Sequence, residues 1–205
     1  MIRLNLGCGT QIPDDWINVD YALGAKLAKV PVFSLLNRYL RLLHTEWDSR
    51  IYLHDLRRPL PWEDAAAESV YTSHTLEHLT KEEGQRLLSE CYRVLVPGGI
   101  LRVVVPDLRH VVLRYMNGHT SAEDFLEDLG VLYSVPRSRL RRAVTPYVEF
   151  PHKCMYDQEA LLRALKRSGF DCKIRAPFES GIEDIASIEV AERTRCAVIV
   201  EGVKP

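Results

Sequence analysis

Residues 4–20, LNLGCGTQIPDDWINVD, set two strand-like runs on either side of a glycine turn. Parallel strands are normally joined by a crossover of a dozen or more residues, usually a helix. No helical pattern fits between Leu6 and Trp16, so the stretch reads as a parallel pair with a shortened connection. Gly7 and Gly9 fall at the end of the first run, and Asp20 falls at the end of the second.

Outward from this pair, Ile2–Leu6, Trp16–Val19 and Ile51–His54 read as short strands, followed by Ser69–Ser73 and the β-branched run Ile100–Val105. Between the last two, Thr80 and Glu83 form a capping box. Leu87, Leu88, Cys91, Val94 and Leu95 then recur at helical spacing up to Pro97-Gly98-Gly99. Strand, helix, strand in this order implies a right-handed parallel crossover. After Pro106 the strands pause, and residues 108–150 read as a helical insertion with a second capping box at Thr120 and Glu123. A further helix follows Asp157, with Leu161, Leu162 and Leu165 as its buried face and Gly169 past its end. The segments FDCKIRAPF and RCAVIVEGV close the chain as strands. The apolar stripe in FSLLNRYLRLL (Leu36, Tyr39, Leu40, Leu43) reads as a helix packed on the domain. The expectation is one α/β domain over residues 1–205.

Hydrophobic residues make up 46% and charged residues 27% of the 205, the proportions of a water-soluble globular chain. A net charge of −1 argues against recruitment to nucleic acid or an anionic membrane. The N-terminal residues lack the pattern of an export signal, no apolar run approaches a membrane span, and a cytoplasmic location is expected. The five cysteines are scattered without a CxxC pair, which suits reduced thiols packed as small residues.

In an open parallel sheet, ligands sit outside the carboxyl ends of the strands. Gly7, Cys8 and Gly9 bring a backbone that a ligand can approach with no Cβ in the way. Asp20 can accept hydrogen bonds from a ribose diol. Asp55 with Leu56, at the next strand end, suits the exocyclic amine and flat face of adenine. His74 ends the fourth strand. A dinucleotide site would need GxGxxG, with a helix N-terminus for the pyrophosphate, whereas the run here is GCGTQI. The pattern points to a nucleoside ligand with no phosphate at the turn, and opposes a nucleotide-dependent oxidoreductase.

LNLGCG…WINVD, HDLRRPLPWEDAAAESVYTSHTLEHL and YRVLVPGGILRVVVPD together resemble the class I S-adenosylmethionine-dependent methyltransferases. The likeness is to the small bacterial type with a shortened first crossover, associated with polysaccharide biosynthesis. It covers about residues 2–107 and extends to the helix–strand–strand ending from Asp157 to Val203. The resemblance implies a Rossmann-like, mostly parallel seven-stranded sheet whose last strand is antiparallel, with the insertion after the fifth strand. It also implies S-adenosylmethionine as cofactor, with Gly7, Cys8 and Gly9 under its methionine portion, Asp20 on the ribose, Asp55 and Leu56 on adenine, and His74 under the sulfonium. Two departures are Asn5, where many members carry an acid, and Thr10 in place of a third glycine.

A base is needed only when the acceptor loses a proton during attack, as a sugar hydroxyl does. His74, Glu77, His78, His152 and Tyr156 are the candidates; His74 is the expected base, because it ends a strand beside the methyl, and His152 is the reserve. His74 and His78 would share one face of a helix, a spacing that also suits a metal with Glu77 or Asp55 as third ligand. Without a second ligand cluster, no metal is expected. Arg137, Arg139, Arg141 and Arg142 read either as a solvated face or as a clamp for an anionic acceptor. The expected function is O-methylation of a saccharide-type or small acceptor, with no nucleic-acid partner. The alternative is a non-catalytic nucleoside-binding module acting on a protein partner.

Overall fold

The computed structural model describes residues 1–30, 47–131 and 150–205. Strands β1 (Ile2–Leu6), β2 (Ile17–Asp20), β3 (Tyr52–Leu53), β4 (Ala67–Ser73), β5 (Leu95–Pro106), β6 (Asp171–Ile174) and β7 (Ala197–Val203) form one sheet in the order β3-β2-β1-β4-β5-β7-β6. The first five pair parallel, and β7 runs antiparallel to both β5 and β6. This is the Rossmann-like methyltransferase arrangement that the sequence resemblance implied. Helix α1 (Leu23–Ala28) follows β2, and α2 (Lys81–Val94) crosses from β4 to β5. Helices α3 (Leu108–Met116) and α4 (Ala122–Asp128) follow β5, α5 (Gln158–Arg167) precedes β6, and α6 (Ala191–Thr194) precedes β7.

The connection from β1 to β2 carries no helix. Asn5 sits on β1 and donates from its amide to the Gln11 carbonyl and to Asn18 Oδ1, both at 2.8 Å. Asn18 in turn donates to the Pro13 and Trp16 carbonyls at 2.9 and 3.0 Å. A carboxylate at position 5 could make neither of the first two bonds, because it has no proton to donate. Asn5 thus ties the short connection to β1. Trp16 falls just before β2 and packs edge-on against Tyr71 in the cluster on the second face of the sheet.

Alternation along the central strands sorts the two faces. Leu101, Val103 and Val105 join Leu4, Leu6, Leu87, Leu161 and other residues in the main core under α2 and α5. Val104 points the opposite way and packs with Tyr71, Ile185, Ile188 and Ile199. On that second face Arg102 is fully buried, paired with Glu189 through two bonds of 2.8 Å and with Glu201 at 2.9 Å.

Several boundaries differ from the sequence reading. Strand β3 shrinks to two residues, because only Tyr52 and Leu53 find partners, on Val19 and Asp20. Strands β4 and β5 begin earlier than expected, since Ala67 already pairs with Leu95 directly after α2 ends. The Thr80–Glu83 capping box is present. The second cap lies one residue later than expected, with Ser121 Oγ accepting from the Asp124 N–H at 3.0 Å. Leu161 and Leu165 are buried on α5, and Leu162 is partly so. The FSLLNRYLRLL stripe and the rest of the expected insertion, residues 132–149, lie outside the described residues. Among the described residues, no helix is long and apolar enough to cross a membrane.

Candidate active site

The glycine turn leaves β1 with Gly7 at φ +73° and Gly9 at φ +55°, conformations that disfavour side chains. The Gly7 and Cys8 N–H groups both donate to the Val19 carbonyl, at 2.8 and 3.0 Å. The two glycines serve different ends. A Cβ on Gly7 would overlap Thr75, so the side-chain space this glycine leaves is filled by the β4 terminus. A Cβ on Gly9 would meet only Arg193 Nη2, at 3.5 Å, so its turn faces open space bordered by a guanidinium. Cys8 packs with Ala25 and Ile51 in a small buried cluster, and burial pushes its thiol up to about 12.

Asp20 closes the other side of the turn. Its Oδ2 accepts from the Gly9 N–H at 2.9 Å, and its Oδ1 accepts from Tyr21 and Ala22 at 2.7 and 2.8 Å. A carboxylate has roughly four lone-pair positions; one remains, on Oδ2. Asp55 stands two residues past β3 and is gripped by Arg57 through bonds of 2.8 and 2.7 Å. The Arg57 guanidinium holds its carboxyl down to about 2, so the group is charged throughout the neutral and mildly acidic range. Leu56 turns its side chain into the main core. A groove of about 650 Å³ opens beside it, lined by Arg57, Arg58, Lys81 and Arg86 among others, but it contains none of Gly7, Gly9, Asp20 or His74.

His74 follows β4 with φ +52°, a left-handed conformation uncommon for a side-chain-bearing residue. Its Nε2 lies 2.8 Å from the Arg193 carbonyl. A carbonyl only accepts, so Nε2 carries the proton and the lone pair of the neutral ring sits on Nδ1. Nδ1 faces Glu77 Oε1 at 3.5 Å. Burial holds the imidazole below its usual range. Glu77 belongs to a 3₁₀ turn, Leu76–His78, and burial pushes its carboxyl up to about 7.

The segment from His152 to Cys154 docks on this turn. The Lys153 and Cys154 N–H groups donate to the Glu77 carbonyl at 2.7 and 3.1 Å. His152 is thereby brought to His78, their ring centroids 5.0 Å apart. The expected helical pairing of His74 with His78 is replaced, since His74 lies outside the turn and His78 pairs with His152 instead. Tyr156 packs in the main core, close to Gly84 of α2. His74, Glu77, His78 and His152 thus gather at the end of β4, while Arg137, Arg139, Arg141 and Arg142 lie outside the described residues. The sequence reading missed Arg193, which reaches both Gly9 and His74 from the far C-terminal α6; nothing in its local pattern marks it.

Residues 4–103 match the family model described as a methyltransferase domain. No curated protein sequence matches the chain. Among solved structures, an S-adenosylmethionine-dependent methyltransferase of Methanosarcina mazei is 16% identical with a TM-score of 0.53, over 98% of this chain and 91% of that one. A Thermotoga maritima methyltransferase described as a possible histamine N-methyltransferase is also 16% identical, with a TM-score of 0.50 over 100% of this chain and 82% of its own. A chain of the Haloferax volcanii complex between the Trm112 activator and a methyltransferase is 14% identical, with a TM-score of 0.50 over 100% and 82%. At these identities the likeness establishes the fold alone.

Proposed function

We propose, from a sheet of the class I methyltransferase arrangement and the match of residues 4–103 to a methyltransferase domain, that the chain is an S-adenosylmethionine-dependent enzyme that methylates a hydroxyl of a saccharide-type or other small acceptor. The observation that carries this reading is the Gly9 turn: open, clamped by Asp20, and bordered by Arg193 at the carboxyl ends of β1 and β2. S-adenosylmethionine brings a methyl already activated as a sulfonium, so transfer depends mainly on proximity and alignment. In this reading the Gly9 backbone receives the methionine portion and the Arg193 guanidinium its carboxylate. Asp20 takes a ribose hydroxyl on its remaining lone pair, and Asp55 with the Leu56 backbone meets the adenine edge. His74 Nδ1 accepts the acceptor's hydroxyl proton, with His152 nearby in the same cluster. A glycan acceptor would place the reaction in polysaccharide biosynthesis.

Calorimetry tests the cofactor assignment directly: S-adenosylhomocysteine is expected to bind and NAD is not. Asp20→Ala is expected to weaken that binding by about 1.5–3 kcal/mol, the range for hydrogen bonds to a charged group. Wild-type affinity in this variant would remove the ribose assignment. Release of S-adenosylhomocysteine across a panel of sugar acceptors then tests the reaction. Binding without turnover on any acceptor would favour the binding-module reading.

A second prediction concerns the adenine end. Asp55→Asn retains one accepting oxygen and is expected to weaken binding less than Asp55→Ala. The folded Asp55 carboxyl titrates at about 2, below its ordinary value, so its contribution is present at neutral pH and lost only as pH falls through about 2. Cofactor affinity is therefore expected to show no loss attributable to Asp55 down to about pH 4. If both variants bind as wild type does, adenine lies elsewhere.

A further inference from the structure

Glu77 is fully buried, and among the described residues neither of its carboxylate oxygens has a hydrogen-bond partner; the nearest imidazole, His74 through Nδ1, stands 3.5 Å from Oε1, beyond a good hydrogen bond. Such a carboxylate is costly unless it is protonated, paired or bound to a metal. The neighbouring His78 Nδ1 is likewise buried and without a partner. His152 lies 2.7 Å through Nδ1 from the Leu129 carbonyl, so Nδ1 holds its proton and Nε2 carries the lone pair. One ligand-type atom from each of Glu77, His78 and His152 lies within 4.8 Å of the others. We propose that Glu77, His78 and His152 bind a divalent first-row transition-metal ion, for which zinc is the best fit.

The donor set selects the class of ion. Two imidazoles and one carboxylate suit zinc and its first-row neighbours, whereas magnesium and calcium favour all-oxygen shells. With bonds of about 2.0–2.2 Å, tetrahedral ligands stand roughly 3.5 Å apart. The three side chains therefore need to close by little more than an ångström. The outer contacts are those of ligating histidines, which commonly donate their second ring N–H to a backbone carbonyl. His152 does so to Leu129. The ion would staple the segment after the insertion onto the turn that follows β4, in addition to the two backbone bonds already there. Three protein ligands also leave a tetrahedral position open. An acceptor's hydroxyl oxygen placed there would lose its proton more readily. That role rests on the methyltransferase reading; the binding site itself does not.

The test uses the full chain after chelator treatment, with no cofactor present. Calorimetric titration with zinc chloride and visible-absorption titration with cobalt chloride are expected to show one site per chain. Glu77→Gln, which keeps the shape of the side chain, and His152→Ala are each expected to weaken binding by more than the ~10–100-fold typical of losing an outer contact. His119→Ala, an exposed histidine, is expected to bind as wild type does. Melting temperature and S-adenosylhomocysteine affinity are measured on every variant. Absence of zinc and cobalt binding at micromolar concentrations in the wild type would overturn the site, as would undiminished binding in Glu77→Gln. Zinc binding without S-adenosylhomocysteine binding would keep the site and sink the methyltransferase reading instead.

Discussion

Gly7→Val is expected to destabilise the chain by roughly 2–5 kcal/mol and to abolish measurable cofactor binding. Two independent costs add. A Cβ at Gly7 would overlap Thr75 Oγ1 and stand 2.6 Å from its Cγ2 and 2.8 Å from its Cβ. Overpacking of this kind typically costs ~1–3 kcal/mol. The residue also sits at φ +73°, where an L side chain costs roughly 1–2 kcal/mol and a β-branched one resists most. For a chain of this length the sum corresponds to a fall in Tm of about 4–20 °C. Relief by distortion would push the β1 and β4 termini apart and carry Gly9 and His74 with them. Gly9→Val is the informative contrast, because its Cβ would meet only Arg193 Nη2 at 3.5 Å. That variant carries the positive-φ cost alone, so it is expected to lose the cofactor while melting closer to wild type. Adding Thr75→Gly to Gly7→Val should recover part of the lost Tm by removing the clash. A Gly7→Val chain with wild-type Tm and affinity would show that the β1–β4 contact does not shape the site.

The contrast between the two glycines shows where sequence reasoning stopped. Their place at the end of a strand, and the absence of a third glycine, argue against a dinucleotide turn. What each glycine clears depends on Thr75, which lies on a different strand end and leaves no local trace at position 7. Asn5 was legible only as a departure from an acid; its purpose appears once Gln11 and Asn18 are seen to need its amide protons. Long, periodic elements such as α2 and α5 were readable, because capping residues and apolar spacing act locally. Strand β3 was overdrawn, since its length is set by what β2 offers for pairing. The histidines were each visible as candidates, but their grouping was not. His78 meets His152 only because the Lys153 and Cys154 N–H groups anchor a distant segment on the Glu77 carbonyl. A spacing rule cannot see a partner brought in by tertiary docking.

His74→Ala is expected to lower kcat by the ~10²–10⁴ typical of losing a general base, with S-adenosylhomocysteine affinity little changed. The geometry leaves the ring one basic position. Nε2 is committed to the Arg193 carbonyl at 2.8 Å, so a proton can be taken only at Nδ1, on the side facing Glu77. The left-handed backbone at φ +52° complicates the alanine variant, because strain there could mimic a lost base. Asparagine tolerates this conformation better and supplies no base at neutral pH. His74→Asn should therefore match His74→Ala in kcat while holding the wild-type melting temperature. If asparagine restores turnover, His74 shapes the turn and does not move the proton. Full kcat in both variants would remove His74 from the chemistry altogether. His152→Ala then separates the remaining cases, since it removes a basic nitrogen and, on the metal proposal, a ligand as well. A loss of kcat that accompanies loss of zinc would assign the deprotonation to the ion. A loss of kcat with zinc affinity intact would assign it to the His152 imidazole. With neither lost, the sulfonium's own reactivity and the alignment imposed by the strand ends would suffice for transfer.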